Sequence, residues 1–242
     1  MPSVLVPKRS ASPEWMDRTG NTRQDLEGAL RDIGKVNRLL RGSRILIDAL
    51  RPCLEKQQQG QTLTVLDVGT GGADLPIDLV NEARRMDRRV HVTAVEKDVV
   101  TAGYAKAQTQ AYPEIEVTLA DATRLPFPPQ SFDVVIASLF LHHFGDAQAA
   151  QLLRDFRAIA RRAVLINDLR RHLIPWAFIG VAAHVTGRHP MFRHDAPLSV
   201  LRGFTATELR NAAKEAGVPR VTLARRFPYR FLMTLPGSNS IP

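Results

Sequence analysis

The 242-residue chain carries a glycine-rich turn, Gly69-Thr70-Gly71-Gly72, directly after a short β-rich run, residues 62–68. Such a turn brings backbone N–H groups close to a ligand at the start of a helix. Gly69 and Gly71 fit the first two positions of a dinucleotide fingerprint, but its third position is Asp74. An acid there repels a pyrophosphate and welcomes a positive amino or sulfonium group. No Gly-Lys-Ser/Thr follows, so a P-loop is excluded. Glu96 ends the next β-rich run, where a carboxylate can accept hydrogen bonds from both hydroxyls of a ribose. Asp121 ends the third, where it can accept one from an adenine amino group. His142 and His143 follow a fourth run, and Asp168 a fifth. A histidine oriented by an aspartate is a general-base pair able to take a proton from a hydroxyl. His142 is expected to face the pocket with Asp168 as its partner, and His143 to serve a structural hydrogen bond. The alternative is that both histidines shape the pocket and proximity does the catalysis.

Those residues need strand ends to hold them. Periodicity predicts strands at residues 62–68, 90–95, 115–119, 132–138 and 163–166, and helices at 75–86, 99–112 and 147–160. The fourth strand, FDVVIAS, is nearly all apolar and so buried on both faces. Strands alternating with helices predict a Rossmann-like, doubly wound α/β sheet. Its later part is an irregular apolar segment at 169–198, a helix at 205–216 and two strands, Arg220 to Ala224 and 231–235. Ahead of it, Leu26, Leu30, Ile33, Val36 and Leu40, then Ile45, Leu46 and Leu50, predict two helices broken near Gly42-Ser43. Residues 1–20, rich in Pro, Ser and charge, are expected to form a poorly ordered arm. Residues 1–60 thus form an arm and helical lid, and 61–242 a ligand-binding domain with a lid insertion at 169–198.

With 44% hydrophobic residues the chain can fill one sizeable core. The single cysteine, Cys53, excludes an internal disulfide and a cysteine-built metal site, and no metal is expected. A reducing, cytoplasmic setting follows, and no secretory signal or membrane span is visible. The formal charge of +9 comes mostly from arginines near helix ends, where cations suit the helix dipole, so nucleic acid is not the expected partner.

Taken in order, LDVGTGGADLP, AVEKD, LADATRLPFPPQSFDVVIAS and SLFLHHF resemble the successive motifs of class I S-adenosylmethionine-dependent methyltransferases. The resemblance runs from about Thr62 to Leu235 and implies a seven-stranded sheet, mostly parallel with an antiparallel last strand. It also implies S-adenosyl-L-methionine as cofactor and S-adenosyl-L-homocysteine as product. Asp67 and the turn Gly69, Thr70, Gly71, Gly72 would hold the methionine end. Glu96 would bind the ribose, Lys97 flank the adenine, Asp121 and Ala122 contact the adenine, and Ser138 and Leu139 line the floor. Ala73 replaces a glycine common in the family, and only a slight adjustment of the turn is expected.

His142, His143 and Asp168 match positions found in small-molecule O-methyltransferases. SVLRGFTATELRNAAKEAGV, PEWMDRTG and VNRLLRG resemble bacterial enzymes that methylate polyketide phenols and lipid quinones in secondary metabolism. The implied reaction is O-methylation of a hydrophobic phenolic, polyketide or quinone-type molecule. Trp176, Phe178, Met191 and Phe192 are expected to pack on it, with Arg193, His194 and Asp195 at its polar head. Transient membrane-surface contact and a monomer or homodimer fit this reading. The alternatives are an RNA or protein methyltransferase, suggested by the charge, and a non-catalytic S-adenosylmethionine-binding protein.

Overall fold

The computed structural model describes residues 5–186, 189–218 and 221–239. Arg220, the start of one expected strand, and residues 187–188 of the apolar insertion lie outside these. Strands β1 (Thr62–Val68), β2 (Arg89–Glu96), β3 (Ile115–Leu119), β4 (Phe132–Ser138), β5 (Ala160–Leu169), β6 (Thr222–Arg226) and β7 (Arg230–Pro236) form one sheet in the order β3-β2-β1-β4-β5-β7-β6. The first five are parallel, and β7 runs antiparallel to both β5 and β6. The chain winds outward from β1 to one edge, then returns to β4 on its other side. This reversal opens a crevice at the C-terminal ends of β1 and β4.

Helices α1 (Arg23–Leu39) and α2 (Arg44–Glu55) precede the sheet, and α3 (Asp74–Arg85), α4 (Val99–Gln108), α5 (Asp146–Ile159) and α8 (Ala206–Glu215) alternate with its strands. Leu152, Leu153 and Phe156 of α5 and Leu209 of α8 pack on one face, and Leu46, Leu50 and Leu54 of α2 with Leu79 of α3 on the other. Each of these leucines is buried so fully that truncation to alanine costs about 2–5 kcal/mol. Capping boxes start α1 (Thr22 with Asp25) and α8 (Thr205 with Glu208), each satisfying two otherwise unpaired backbone N–H groups.

Two expectations are corrected. The apolar insertion is not irregular: it forms α6 (Leu173–Thr186) and α7 (Pro190–Arg202). Apolar residues all round α6 hide the helical period, and Pro190 and Pro197 read as breakers, although Pro190 sits in the first turn of α7, where proline is tolerated. Nor are residues 5–18 of the arm poorly ordered; residues 1–4 lie outside the described residues. The arm's peptide groups are fastened by buried side chains from far along the sequence. Asp195 accepts from Trp15 N (2.8 Å) and Met16 N (3.0 Å), and Arg171 Nε donates to Pro7 O (2.9 Å). Arg202 donates to Ser12 O. Residues 5–18 are a strap laid across α7. Among the described residues no helix is long and apolar enough to cross a membrane.

Candidate functional site

A cavity of about 860 Å³ opens at the crevice. Asp67, Gly69, Thr70, Gly71, Gly72, Asp74, Glu96, Lys97, Asp121, Ala122, Ser138 and Leu139 all line it. Parallel pairing puts Asp67 beside Ala94 and Ile136, so the tips of β1, β2 and β4 converge. Gly69 has φ +72°, and a Cβ there would lie 2.2 Å from the Phe140 ring. Only glycine lets the backbone and that ring approach so closely. Ala73, where a glycine was expected, has a left-handed backbone (φ 61°) with its side chain buried. It bears about 1–2 kcal/mol of local strain.

Asp67 is buried, and its Oδ2 has no hydrogen-bond partner among the described residues; neither does Thr70 Oγ1. Desolvation raises the Asp67 carboxyl to about 7; the adjacent Thr70 hydroxyl, too poorly placed for a formed hydrogen bond, pulls against it, and the nearby Glu96 charge adds a smaller push. Two orphaned polar atoms in a cradle too tight for a Cβ fit a ligand that brings its own donors, such as an ammonium group. Glu96 accepts from Gly71 N (3.2 Å), Lys97 N (2.9 Å) and Asp98 N (3.1 Å), which ties the tip of β2 to the glycine turn. Asp121 Oδ1 accepts from both the backbone N–H and the hydroxyl of Thr123, which hold its carboxyl below the usual range. Asp74 does not wait for a cationic ligand: Arg38 of α1 pairs with it at 2.8 Å. Ser138 is held by Asn167 Nδ2 (2.9 Å), a buried β5 residue that sequence reasoning missed because its polarity ended the predicted strand early.

A second, mostly apolar pocket of about 370 Å³ adjoins the first, and Met16, Ile33, Asn37, Leu139 and His143 line both. Leu139 stands between them at φ 53°, a second strained non-glycine residue. The outer wall comes from the N-terminal helix: Ala29, Ile33, Val36 and Leu40 recur at helical spacing along α1 and its end. On α7, Phe192, Asp195, Ala196, Ser199 and Val200 present one face. Of the expected substrate contacts, Phe178, Phe192 and Asp195 line this pocket.

Trp176, Met191, Arg193 and His194 do not line it, because a helix turns successive residues about 100° apart. Trp176 sits 40% exposed on α6, and Met191 is buried with Leu26 and Ala29. His194 stacks on Trp15 with ring centroids 4.0 Å apart. Asp195, expected at a polar head group, lines the pocket and also anchors the strap. Sequence reasoning also missed Glu14, Ile174, Ile179, Tyr229 and Arg230. The stripe along α1 was visible as periodicity; the side it faced was not.

The polar end of this pocket holds His142, buried on a 3-10 turn at Leu141–His143. Its Nδ1 lies 2.7 Å from Asp168 Oδ1, and its backbone N–H donates to Asp168 Oδ2 (3.0 Å). The other ring nitrogen lies 3.5 Å from Glu14 Oε1 on the strap. Burial alone would favour neutral imidazole, but Asp168 and Glu14 outweigh it and raise His142 to about 10. With both carboxylates in place and no cation between them, the protonated form of His142 is favoured, so it is not the free general base expected; a cation bound there would displace that proton. Asp168 is held below the usual carboxylate range: burial opposes this, and the His142 charge outweighs burial. His143 Nδ1 pairs with Asp17 Oδ2 at 2.9 Å, and the two histidine rings stack at 4.4 Å. Arg230 reaches the same pocket from β7. It is buried, donates to Asn37 Oδ1 (3.1 Å), and leaves Nη1 without a hydrogen-bond partner among the described residues.

Residues 65–163 match a family model described as a methyltransferase domain. No curated protein matches the sequence. Among solved structures, the chain is similar to the CMeT domain of the citrinin polyketide synthase (14% identity, TM-score 0.62), covering 83% of this chain and 52% of that one. It is similar to the DszA carbon methyltransferase (15% identity, TM-score 0.60), covering 83% and 54%. The chain thus spans about half the length of these two. It is also similar to magnesium protoporphyrin IX methyltransferase from Synechocystis with bound SAM (18% identity, TM-score 0.57), covering 93% and 94%.

Proposed function

We propose that this chain, a class I S-adenosylmethionine-dependent methyltransferase, O-methylates a hydrophobic phenolic, polyketide or quinone-type small molecule. The observation that carries the reading is the apolar pocket meeting the larger cavity at Leu139 and His143. Its volume, about 370 Å³, is in the range of small-molecule sites. In this reading the larger cavity takes the cofactor. The orphaned Asp67 Oδ2 receives its ammonium group, Glu96 its ribose, and Asp121, Ala122 and Lys97 its adenine. Ser138 and Leu139 form the floor, so the sulfonium methyl points past Leu139 into the apolar pocket. The methyl carbon then leaves sulfur as it bonds to the acceptor oxygen. The protein's task is to align the two in a water-poor space.

The acceptor's rings or chain lie among Ile33, Val36, Phe178 and Phe192. His142, with Asp168 behind it, and His143, with Asp17 behind it, hold its reacting oxygen. The unpartnered Nη1 of Arg230 suits a second oxygen, such as a carbonyl or phenolate. Exposed apolar side chains on α6 (Phe178, Val181, Val185) and Phe227 rim this side and would let a greasy acceptor arrive from a membrane surface. The test is transfer from methyl-labelled cofactor to a panel of alkylated phenols, quinols, alkylpyrones, RNA and protein. The expected result is a methyl ether of a hydrophobic phenol or quinol. A label carried only by RNA, by protein or by a product carbon overturns the reading.

A further inference from the structure

We infer that Glu14, His142 and His143 form a binding site for one divalent transition-metal cation of the zinc type, at the junction of the two pockets. This goes beyond the reading above, and the sequence, searched for cysteine ligands, predicted no metal. Each of the three residues offers a ligand atom within 4.8 Å of the other two, and among the described residues no other such cluster occurs. Glu14 and His142 are buried, and His143 is partly buried.

Spacing and burial together set Glu14 and His142 apart. Among the described residues, His142–Asp168 (2.7 Å), His143–Asp17 (2.9 Å) and His194–Asp195 (2.8 Å) sit at hydrogen-bond length, while the looser pairs His189–Asp25 (3.4 Å) and His91–Glu116 (3.9 Å) are partly or largely exposed. Glu14 Oε1 and the second nitrogen of His142 stand 3.5 Å apart. That is long for a hydrogen bond but close to the roughly 3.4 Å edge between two ligands of a tetrahedral zinc with bonds of about 2.0–2.1 Å. The three ligand atoms lie within 4.8 Å of one another, so His143 must draw in by up to about 1.4 Å to complete the set at such bond lengths.

The surroundings are those a metal centre needs. Each histidine has one ring nitrogen engaged by a carboxylate, Asp168 behind His142 and Asp17 behind His143, which leaves the other nitrogen for a metal. Such carboxylate–histidine pairs orient ligands and raise their basicity. Ser199 Oγ donates to Glu14 Oε1 (2.8 Å) and orients the third ligand. Charge also fits. Glu14, Asp17 and Asp168 carry three negative charges, and Arg202, with Nε 3.9 Å from Glu14, returns one positive charge. With neutral imidazoles a divalent cation balances the remainder. Three protein ligands leave an open coordination position, which faces the pocket proposed for the acceptor. A hydroxyl bound there would release its proton to solvent and attack the methyl group as a metal-held oxyanion. The carbon–oxygen bond would form as the sulfur–carbon bond breaks, leaving a neutral thioether.

The test uses the full chain, dialysed against zinc and then freed of excess metal. Metal analysis is expected to find one zinc per chain, and cobalt in its place to give the visible absorption of a tetrahedral site. E14Q and H143A should each lower zinc affinity at least 100-fold. D17N, which removes only an orienting carboxylate, should lower it about 10- to 100-fold. Circular dichroism and cofactor calorimetry establish that each variant is folded. A zinc-free wild-type protein, or wild-type zinc affinity in both folded E14Q and H143A, overturns the inference. Zinc content is read without any acceptor, so its failure leaves the methyl-transfer reading standing, and a failed acceptor panel leaves the zinc result standing.

Discussion

Asp67→Asn should make the free protein more stable and the cofactor complex weaker. Asp67 is fully buried at the end of β1, its Oδ2 has no partner, and desolvation raises its carboxyl to about 7. Its folded value lies above its unfolded one, so between about pH 4 and 7 the folded state holds a proton the unfolded state has released. Stability therefore declines as pH rises through that window and is lowest above about 7. At about 1.4 kcal/mol per tenfold change, an ionised Asp67 costs the free protein up to roughly 4 kcal/mol. Asparagine removes the charge but still needs hydrogen bonds, so D67N should gain about 1–3 kcal/mol near pH 8, a rise of roughly 2–10 °C in Tm.

Binding runs the other way. If the ionised carboxylate receives the cofactor's ammonium group, affinity must fall with the fraction ionised. From about pH 8 to about pH 5.5 that is a loss of about 30-fold. Calorimetry of S-adenosyl-L-homocysteine binding across this range, in buffers of different ionisation enthalpy, reads both affinity and proton uptake. D67N should bind weakly at every pH and lose the slope. Wild-type affinity flat within about twofold, or a D67N protein no more stable at about pH 8, would refute the reasoning.

Three further outcomes follow from the geometry. Gly69→Ala combines a left-handed φ with a Cβ 2.2 Å from Phe140, so it should cost at least about 2 kcal/mol and abolish measurable cofactor binding; calorimetry and thermal melts check both. Ala196→Trp fills the apolar pocket from α7, and should remove acceptor turnover while cofactor affinity stays within about twofold, as titration of S-adenosyl-L-homocysteine will show. Arg230→Met exchanges a buried guanidinium with an unpartnered Nη1 for an apolar chain, and should raise KM for an oxygen-rich acceptor about tenfold while sparing a monohydroxylated one, read from initial rates on the pair.

Local pattern carried much of this protein. β1, β3 and β4 fall at the predicted residues because each is a short run dominated by apolar and β-branched residues, with a single acid in each. Where a polar residue is buried for a partner's sake, the pattern failed. Asn167 and Asp168 extend β5 by pairing with Leu232 and Phe231 of β7, contacts more than sixty residues away in the chain. The strap shows the same limit. Its composition reads as disorder, because nothing local says that Asp195, Arg171 and Arg202 will satisfy its peptide groups.

By itself the sequence determined the order of elements and the acids at the tips of β1, β2 and β3, since strand ends and turns are written in adjacent residues. The glycine turn belongs to the same category: Gly69 and Gly71 are where the chain turns, whatever surrounds them. Only the tertiary structure decided what His142 is. Asp168 was within reach of inference, as the end of a neighbouring strand. Glu14, 128 residues earlier, was not, because its place depends on Asp195, Ser199 and Arg202 of α7 drawing the strap across the pocket. Those long-range bonds turn a histidine that looked like a free base into one clamped between two buried carboxylates.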